Sequence, residues 1–566
     1  MSNQKYLFGH YCLALFIFFA ASEIGLTASQ VDPAALKHWQ DLRFGMFIHW
    51  GPVSLTGQEI GWARGKQVPI EEYDQLYKQF NPAQFNADEW VSAAKDAGAK
   101  YIVLTTKHHD GFCLWDTKQT DFNIMNSPLK RDVVKELAMA CKRQGIEFGT
   151  YYSTCDWHHP DFPLTSPGGE VQRETHNLDR YTDYLKAQVK ELLVEYGPLL
   201  TLWFDVPQKF DAVRGQGVID FVRSIQPTIV INNRTGAPGD YNTPEQHIGG
   251  FNRERSWETC MTICRQWAWK PDDAMKSKKE CIQTLLHTIG GDGNLLFNVG
   301  PMPDGRIEPR QIERLREMGL WVKTYSDAIY GTRGGPFKPG KWGAATCKEN
   351  KIFLFVMNWP EKEGLKIPAL PDKVTNAVVR TGGNLTFTQT NEYIELDVPR
   401  ESRDPIATVI ELTVDGQAYA IQPLSMTPPS NSVAFGKKAQ ASNVFRKDRS
   451  YAPDKVLDDD PETRWATDEN IFTAWIQIDL GSTKTVSSAM IDEREWNRIK
   501  RFELQYQTGT EWKTAYAGTV LGAEKKITFD PVQAQVFRLN ILESEGGPTI
   551  WEVQLFQTGH NQNKES

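Results

Sequence analysis

Asp205 closes the run Leu199-Leu200-Thr201-Leu202-Trp203-Phe204-Asp205, an apolar stretch with the length of a buried strand and an acid at its C-terminal end. Three upstream stretches share that form. Phe44 to His49 leads into Trp50-Gly51, Tyr101 to Lys107 into His108-His109-Asp110, and Ile146 to Tyr152 ends on paired tyrosines. A carboxylate at a strand end, surrounded by histidines, tyrosines and tryptophans, suits carbohydrate chemistry. The acid can serve as nucleophile or base, neutral imidazoles can hydrogen-bond ring hydroxyls, and aromatic faces can cover the apolar side of a sugar. The same Asp205 could instead cap a following helix, but Pro207 and the flanking Trp203 favour the catalytic reading.

Hydrolysis of a glycosidic bond calls for a second carboxyl group. Asp240, Glu245, Glu254 and Glu258 follow the apolar stretch Thr228 to Asn232 on loops rich in Gly and Pro, and the residues by themselves leave the four unranked. His49, His108 and His109 also admit a reading as metal ligands with Asp110 or Asp205. The first strand ends on a lone histidine, however, and adjacent histidines on a continuing strand would point to opposite sides, so no cofactor is expected for catalysis.

The elements that must hold these residues follow from the pattern. Strand-like runs roughly fifty residues apart, alternating with amphipathic segments and carrying their chemistry at the C-terminal ends, describe a parallel barrel. Asp132 to Gln144 and Leu178 to Tyr196 are two such amphipathic segments. Beyond Trp342 short alternating stretches take over, such as Lys351 to Val356 and Tyr393 to Val398, as in an antiparallel β-sandwich. Pro423 to Ser432 reads as a linker, and Ala474 to Leu480, Arg501 to Tyr506 and Val536 to Ile541 as strands of a second sandwich. The expected architecture is multidomain: a signal peptide at 1–28, a (β/α)8-like TIM-barrel catalytic domain at 29–338, and two all-β sandwich domains at 339–425 and 433–560.

A chain of 566 residues is too long for one hydrophobic core. Lys5, the apolar run Cys12 to Ala21 and the small residues around Ala28 outline a secretory signal, so export to the periplasm or the extracellular space is expected. No later segment is apolar for long enough to span a bilayer. A net charge of −8 with no basic run argues against nucleic acid as a partner. Seven cysteines beyond Cys12, odd in number and irregularly spaced, leave at least one free thiol and no disulfide framework.

Six motifs, in order, then carry a family resemblance. They are Arg43 to Gly51, Thr106 to Phe112, Tyr151-Tyr152-Ser153 with Asp156-Trp157, Trp203-Phe204-Asp205, Trp257 to Thr262, and Asn294 to Pro301 with Asp304-Gly305. Over about residues 31 to 420 the chain resembles the glycoside hydrolase family 29 α-L-fucosidases. The resemblance implies exo-hydrolysis of terminal α-linked L-fucose from fucosylated oligosaccharides or glycoconjugates, with retention through a covalent fucosyl-enzyme. It implies Asp205 as nucleophile, Glu245 as first choice for the acid/base and Glu258 as second. His49, His108, His109, Trp203 and Tyr152 (or its neighbour Tyr151) match fucose-contacting positions. Glu59 and Trp62 lie in a loop with further sugar contacts, and Arg234 matches an arginine near the sugar. Where many members carry Ser-Trp-Gly-Tyr, this chain has Gln266-Trp267-Ala268-Trp269, which affects the aglycone side. The rival readings are a non-catalytic glycan-binding protein built on a decayed hydrolase, and a glycosidase for another sugar of similar configuration.

The last segment resembles the F5/8 type C (discoidin-like) fold, also seen in carbohydrate-binding modules of family 32. Asp458 to Trp465, Trp475 to Gly481 and Ile550 to Val553 carry that resemblance. It implies a structural calcium near Asp458, Asp460, Thr463 and Glu552, against the alternative of an ordinary polar turn.

Overall fold

The computed structural model describes residues 30–167, 173–360, 364–426, 430–460 and 463–557. The expected signal peptide lies outside the described residues. Seven parallel strands form the first sheet: β1 (Phe44–Ile48), β2 (Tyr101–Lys107), β3 (Glu147–Ser153), β4 (Thr201–Asp205), β5 (Val230–Ile231), β6 (Glu258–Thr262) and β7 (Asn294–Val299). Their order is β5-β4-β3-β2-β1-β7-β6. Segment 241–246 completes the ring. Asn232, just past β5, pairs with Tyr241, while Asn242 and Glu245 pair with Trp257 and Cys260 at β6. Its backbone is bonded on the β6 side through Asn242 N to Ser256 O, Glu258 N to Asn242 O and Gln246 N to Cys260 O. The chain thus supplies an irregular eighth stave without a helix on either side of it.

Crossover helices link the regular strands, and their caps are written in the sequence. Asn86, Asp132, Asn177 and Asp211 accept backbone N–H bonds at the starts of Ala87–Ala97, Val133–Gln144, Leu178–Glu195 and Ala212–Ile225, and Ser277 with Glu280 forms a capping box before Lys278–Gly290. Strand residues alternate between two apolar environments. Phe47, Tyr101, Val103, Tyr151, Trp203, Cys260 and Leu296 pack together inside the barrel, whereas Met46, Ile102, Leu104, Tyr152, Phe204 and Phe297 belong to the larger core under the helices.

A five-stranded antiparallel sheet and a three-stranded one follow, sharing a core that includes Ile352, Leu354, Leu396 and Ile410. Phe353, Phe355 and Val409, on the other face of the larger sheet, join the core of the barrel unit. The C-terminal antiparallel sheet is built on the long strands Ala474–Asp492 and Lys525–Ser544 and encloses its own core around Trp465, Ile476, Phe502 and Leu539. The seven cysteines from Cys113 to Cys347 are all buried and free. Among the described residues no helix is long and apolar enough to cross a membrane.

Candidate active site

The C-terminal ends of the barrel strands bring together residues far apart in sequence. Asp205 ends β4 and is not a helix cap: the next helix begins at Ala212, capped by Asp211. Its Oδ1 accepts from Arg234 Nη1 at 2.8 Å and from its neighbour's backbone, Val206 N, at 2.9 Å. Its Oδ2 accepts from Tyr151 Oη at 2.8 Å, with His109 Nε2 at 3.7 Å. Burial opposes the ionised carboxylate, but the Arg234 charge, then His109 and the hydrogen bonds, outweigh it and hold Asp205 below its ordinary value. The backbone leaves the strand through Val206 at φ 44°, a left-handed conformation costly for a β-branched residue.

Arg234 joins two acids. The same Nη1 donates to Asp205 Oδ1 and to Glu245 Oε2, each at 2.8 Å. Nε and Nη2 are fixed by Thr243 Oγ1 and Thr243 O, so the guanidinium is braced by the irregular stave that also carries Glu245. The two carboxylate oxygens can be no farther apart than twice the bond length to their shared nitrogen. That bound admits the separation of roughly 5–5.5 Å typical of retaining glycosidases. The Glu245 side chain is 42% exposed and opens on solvent beside the buried Asp205.

Glu258 sits elsewhere. As the first residue of β6 it faces the barrel interior with no exposure. Its Oε2 accepts from Tyr101 Oη and its Oε1 from Trp203 Nε1 at 3.0 Å. Burial pushes its carboxyl up to about 7. A raised acid is what a proton donor needs, but both oxygens are spent beneath the Trp203 ring. Gly45 makes this arrangement possible, because a Cβ there would come within 2.3 Å of the Tyr101 ring. Asp240 pairs with buried Arg223 and accepts from Ile231 N, so it braces β5, and Glu254 lies in an exposed loop.

The aromatic and imidazole residues form a continuous wall. Trp203 stacks on Tyr151 with centroids 5.6 Å apart and carries the Arg234 guanidinium 4.9 Å from its ring centre. His49 Nδ1 is bonded to Asn298 Oδ1 at 2.7 Å, and His109 Nδ1 to Ser153 Oγ at 2.7 Å. His108 stacks on Tyr151, and its buried Nδ1 has no hydrogen-bond partner. Gly61 lies so close, at φ 64°, that a Cβ there would come within 2.5 Å of that nitrogen. Burial lowers all three imidazoles, His49 to about 3, His109 to about 4 and His108 well below the ordinary range. All three are therefore neutral near pH 7, each able to donate or accept one hydrogen bond. Trp62, 37% exposed, meets His109 and Trp157 edge-on at 5.3 and 5.4 Å.

Two sequence expectations change here. Tyr152 does not reach the site. It points outward, donates to Gln188 Oε1 at 2.8 Å and lies against the Lys107 ammonium, because Tyr151, paired in register with Trp203, takes the inward position. Glu59 is used as a tie: its carboxylate accepts from Ile60 N, Trp267 N and Ala268 N, all between 2.9 and 3.0 Å. It thereby fixes Trp267, whose ring lies 4.7 Å from that of His49. Sequence alone does not mark Asn298 and Ser153 for the site, and it marks Trp267 only as part of the Gln266 to Trp269 departure. Each lies in or beside a motif, but only the fold reveals the partner it supports.

In the C-terminal domain, Thr463 Oγ1 lies 2.8 Å from Asp458 Oδ1, 3.0 Å from Lys455 O and 3.3 Å from Asp460 O. One hydroxyl proton cannot serve three acceptors. Burial, then the charges of Asp459 and Asp458, push the nearby Glu552 carboxyl up to about 9, and burial raises Asp458 to about 6. Crowded hard oxygens with raised carboxyls fit a calcium ion. Asp460 differs from expectation in that its carboxylate pairs with Lys338 Nζ at 3.2 Å, leaving its carbonyl to face the cluster. Among the described residues no group of three or more His, Cys, Asp or Glu is placed to hold a metal ion, so any such site depends on backbone and hydroxyl oxygens.

A barrel mouth with paired carboxylates, a bridging arginine and a wall of neutral imidazoles and indoles defines a glycoside hydrolase site. The α-L-fucosidase family model matches residues 18–327 and the F5/8 type C domain model residues 438–553. The chain belongs to the α-L-fucosidase family. It is 31% identical to the plasma alpha-L-fucosidase of Homo sapiens over 382 residues, covering 60% of this chain and 80% of the relative. Among solved structures, alpha-L-fucosidase isoenzyme 1 from Paenibacillus thiaminolyticus aligns at 32% identity and TM-score 0.63, over 69% of this chain and all of that one. A Bacteroides thetaiotaomicron α-L-fucosidase, solved as a trapped covalent intermediate with 2-fluoro-fucosyl fluoride, aligns at 28% identity and TM-score 0.62, over 69% of this chain and 98% of that one.

Proposed function

We propose that this protein removes terminal α-linked L-fucose from fucosylated oligosaccharides or glycoconjugates by a double displacement that retains configuration. Asp205 attacks the anomeric carbon and Glu245 protonates the departing glycosidic oxygen. Glu245 then deprotonates the water that releases fucose from Asp205. The observation that carries this reading is the single Arg234 nitrogen bonded to both carboxylates. It orients Asp205 for attack and sets the second carboxyl beside it on the solvent side, where a leaving group would depart. The covalent intermediate trapped in the Bacteroides thetaiotaomicron relative supports the same course. His49, His108 and His109, neutral and buried, supply hydrogen bonds to hydroxyls, and Trp62 offers an apolar face. Trp267, beside His49 and partly buried, extends the wall where an aglycone would lie. Proton NMR of a fresh reaction with an aryl α-L-fucoside should show the α-anomer of fucose first, the β-anomer growing only by mutarotation. Initial release of the β-anomer would overturn retention.

The Lys5 and Cys12 to Ala21 pattern supports an exported enzyme. We also propose calcium at the Thr463 cluster, held by Asp458, Glu552, the Thr463 hydroxyl and the carbonyls of Lys455 and Asp460, where it would neutralise the crowded oxygens. The sign of the pH effect follows from the raised carboxyls. Without the ion, a carboxyl that binds its proton more tightly folded than unfolded costs stability as pH rises from the ordinary glutamate range toward about 9. Calcium competes with that proton. The melting temperature of the full chain should rise with calcium over chelator by more at pH 8 than at pH 6. Glu552→Gln should raise the chelator-treated value at pH 8 and remove most of the calcium increment. Identical melting with and without calcium at pH 8 would reject the site.

A further inference from the structure

The loop end of the C-terminal sandwich carries a cluster that fucose hydrolysis does not use. The Arg464 guanidinium lies 5.2 Å from the ring centre of Tyr451, 5.7 Å from Trp496 and 5.2 Å from Trp551. Arg494 lies 4.9 Å from the Trp551 ring and Arg498 only 3.9 Å from that of Trp496. The two indoles meet edge-on at 5.2 Å. Trp551 is buried, whereas Trp496 is 41% exposed. Three guanidinium groups therefore lie on one aromatic cluster.

The acids described nearby are hydrogen-bonded to backbone and amide donors. Asp492 accepts from the backbone N–H of Arg494 and Glu524, and Asp468 from Asn443 Nδ2 and Arg446 N. Glu493 lies near Arg498, but its oxygens accept from the backbone N–H groups of Arg498, Ile499 and Gly522. Among the described residues no carboxylate bonds the Arg464 guanidinium, and its buried Nε has no partner. Among the described residues the Arg498 guanidinium makes one hydrogen bond, a long one from Nη1 to Gly547 O at 3.5 Å. Guanidinium planes held on aromatic rings are pre-organised for paired hydrogen bonds to an oxyanion, and the exposed indole beside them offers a stacking face.

We propose that this end of the domain binds an anionic sugar, one whose ring stacks on Trp496 while its sulfate or carboxylate is taken by Arg464 and Arg498. The module then holds the enzyme on acidic polysaccharide. This goes beyond the hydrolytic reading and does not depend on it.

The full chain should be run in native gels containing dextran sulfate, polygalacturonate or unmodified dextran. Retardation by either acidic polymer, falling as salt is added, and none by dextran is the expected result. The two acidic arms tell a sulfate ligand from a carboxylate one. Trp496→Ala and Arg498→Gln should each weaken retardation by about tenfold or more. Their melting profiles and aryl α-L-fucoside hydrolysis should match the parent. Retardation by unmodified dextran equal to that by the acidic polymers, no retardation in any gel, or undiminished retardation of both folded variants would overturn the proposal.

Discussion

Replacing Asp205 by Gly lowers kcat/KM on an aryl α-L-fucoside by on the order of 10³- to 10⁵-fold, and azide restores turnover with β-L-fucosyl azide as product. That loss corresponds to about 4–7 kcal/mol of transition-state stabilisation. The expectation rests on what surrounds the carboxylate. Arg234, Tyr151 and the Val206 backbone fix both oxygens, and Glu245, the other acid on Arg234, lies to the solvent side. Glycine leaves a cavity beside Arg234 in which a small anion can sit, so azide attacks from the vacated side and one inversion gives the β-product. The pH profile carries a second expectation. With Asp205 held below the ordinary aspartate range, His49 and His109 lowered to about 3 and about 4, and His108 pushed well down by burial, the acid limb of kcat/KM should fall below the usual carboxylate value. No limb should carry an imidazole pKa near 6.5. An Asp205→Gly variant that keeps parental activity, or azide rescue that yields the α-product, would remove Asp205 from the nucleophile's role.

Much of this arrangement is legible in the sequence because strand ends and alternation are local signals. An apolar run ending in Trp203-Phe204-Asp205 places Asp205 and Trp203 on one face by period alone, and the structure puts both on the barrel interior. The same rule could not choose between Tyr151 and Tyr152. Either can face inward until the pairing of β3 with β4 is known, and the irregular pairing between Thr105 and Lys107 blurs the count from β2. The eighth stave is hidden for another reason. Segment 241–246 contains Pro244, follows a turn of Gly236, Pro238 and Gly239, and is held by isolated bridges, so nothing in its composition reads as a strand. Yet this segment aims Glu245 and braces Arg234. The partners of the imidazoles, Asn298 and Ser153, escape for the same physical reason: their importance lies in what they hold across the barrel, at separations of 249 and 44 residues.

Glu245 and Glu258 should fail in different ways when changed. A general acid matters in proportion to how badly the leaving group needs a proton. Glu245→Ala should therefore depress hydrolysis of an unactivated fucosyl oligosaccharide by about 10²- to 10⁴-fold, spare a nitrophenyl-type fucoside by comparison, and respond to azide, which can attack the fucosyl-enzyme without a base. Glu258 is no less conspicuous, and its carboxyl near 7 has the value expected of an acid catalyst. Its position gives it a different task. By accepting from Trp203 Nε1 and Tyr101 Oη it locks the indole on which Tyr151 stacks and over which Arg234 lies, and those two residues hold Asp205. Glu258→Ala should lower kcat on activated and unactivated fucosides by the same factor, show no azide rescue and lower the melting temperature, since two buried donors lose their acceptor. Glu258→Gln, which keeps one acceptor oxygen, should recover part of both losses. A Glu258→Ala defect confined to poor leaving groups and relieved by azide, with Glu245→Ala showing neither, would transfer the proton-donating role to the buried acid.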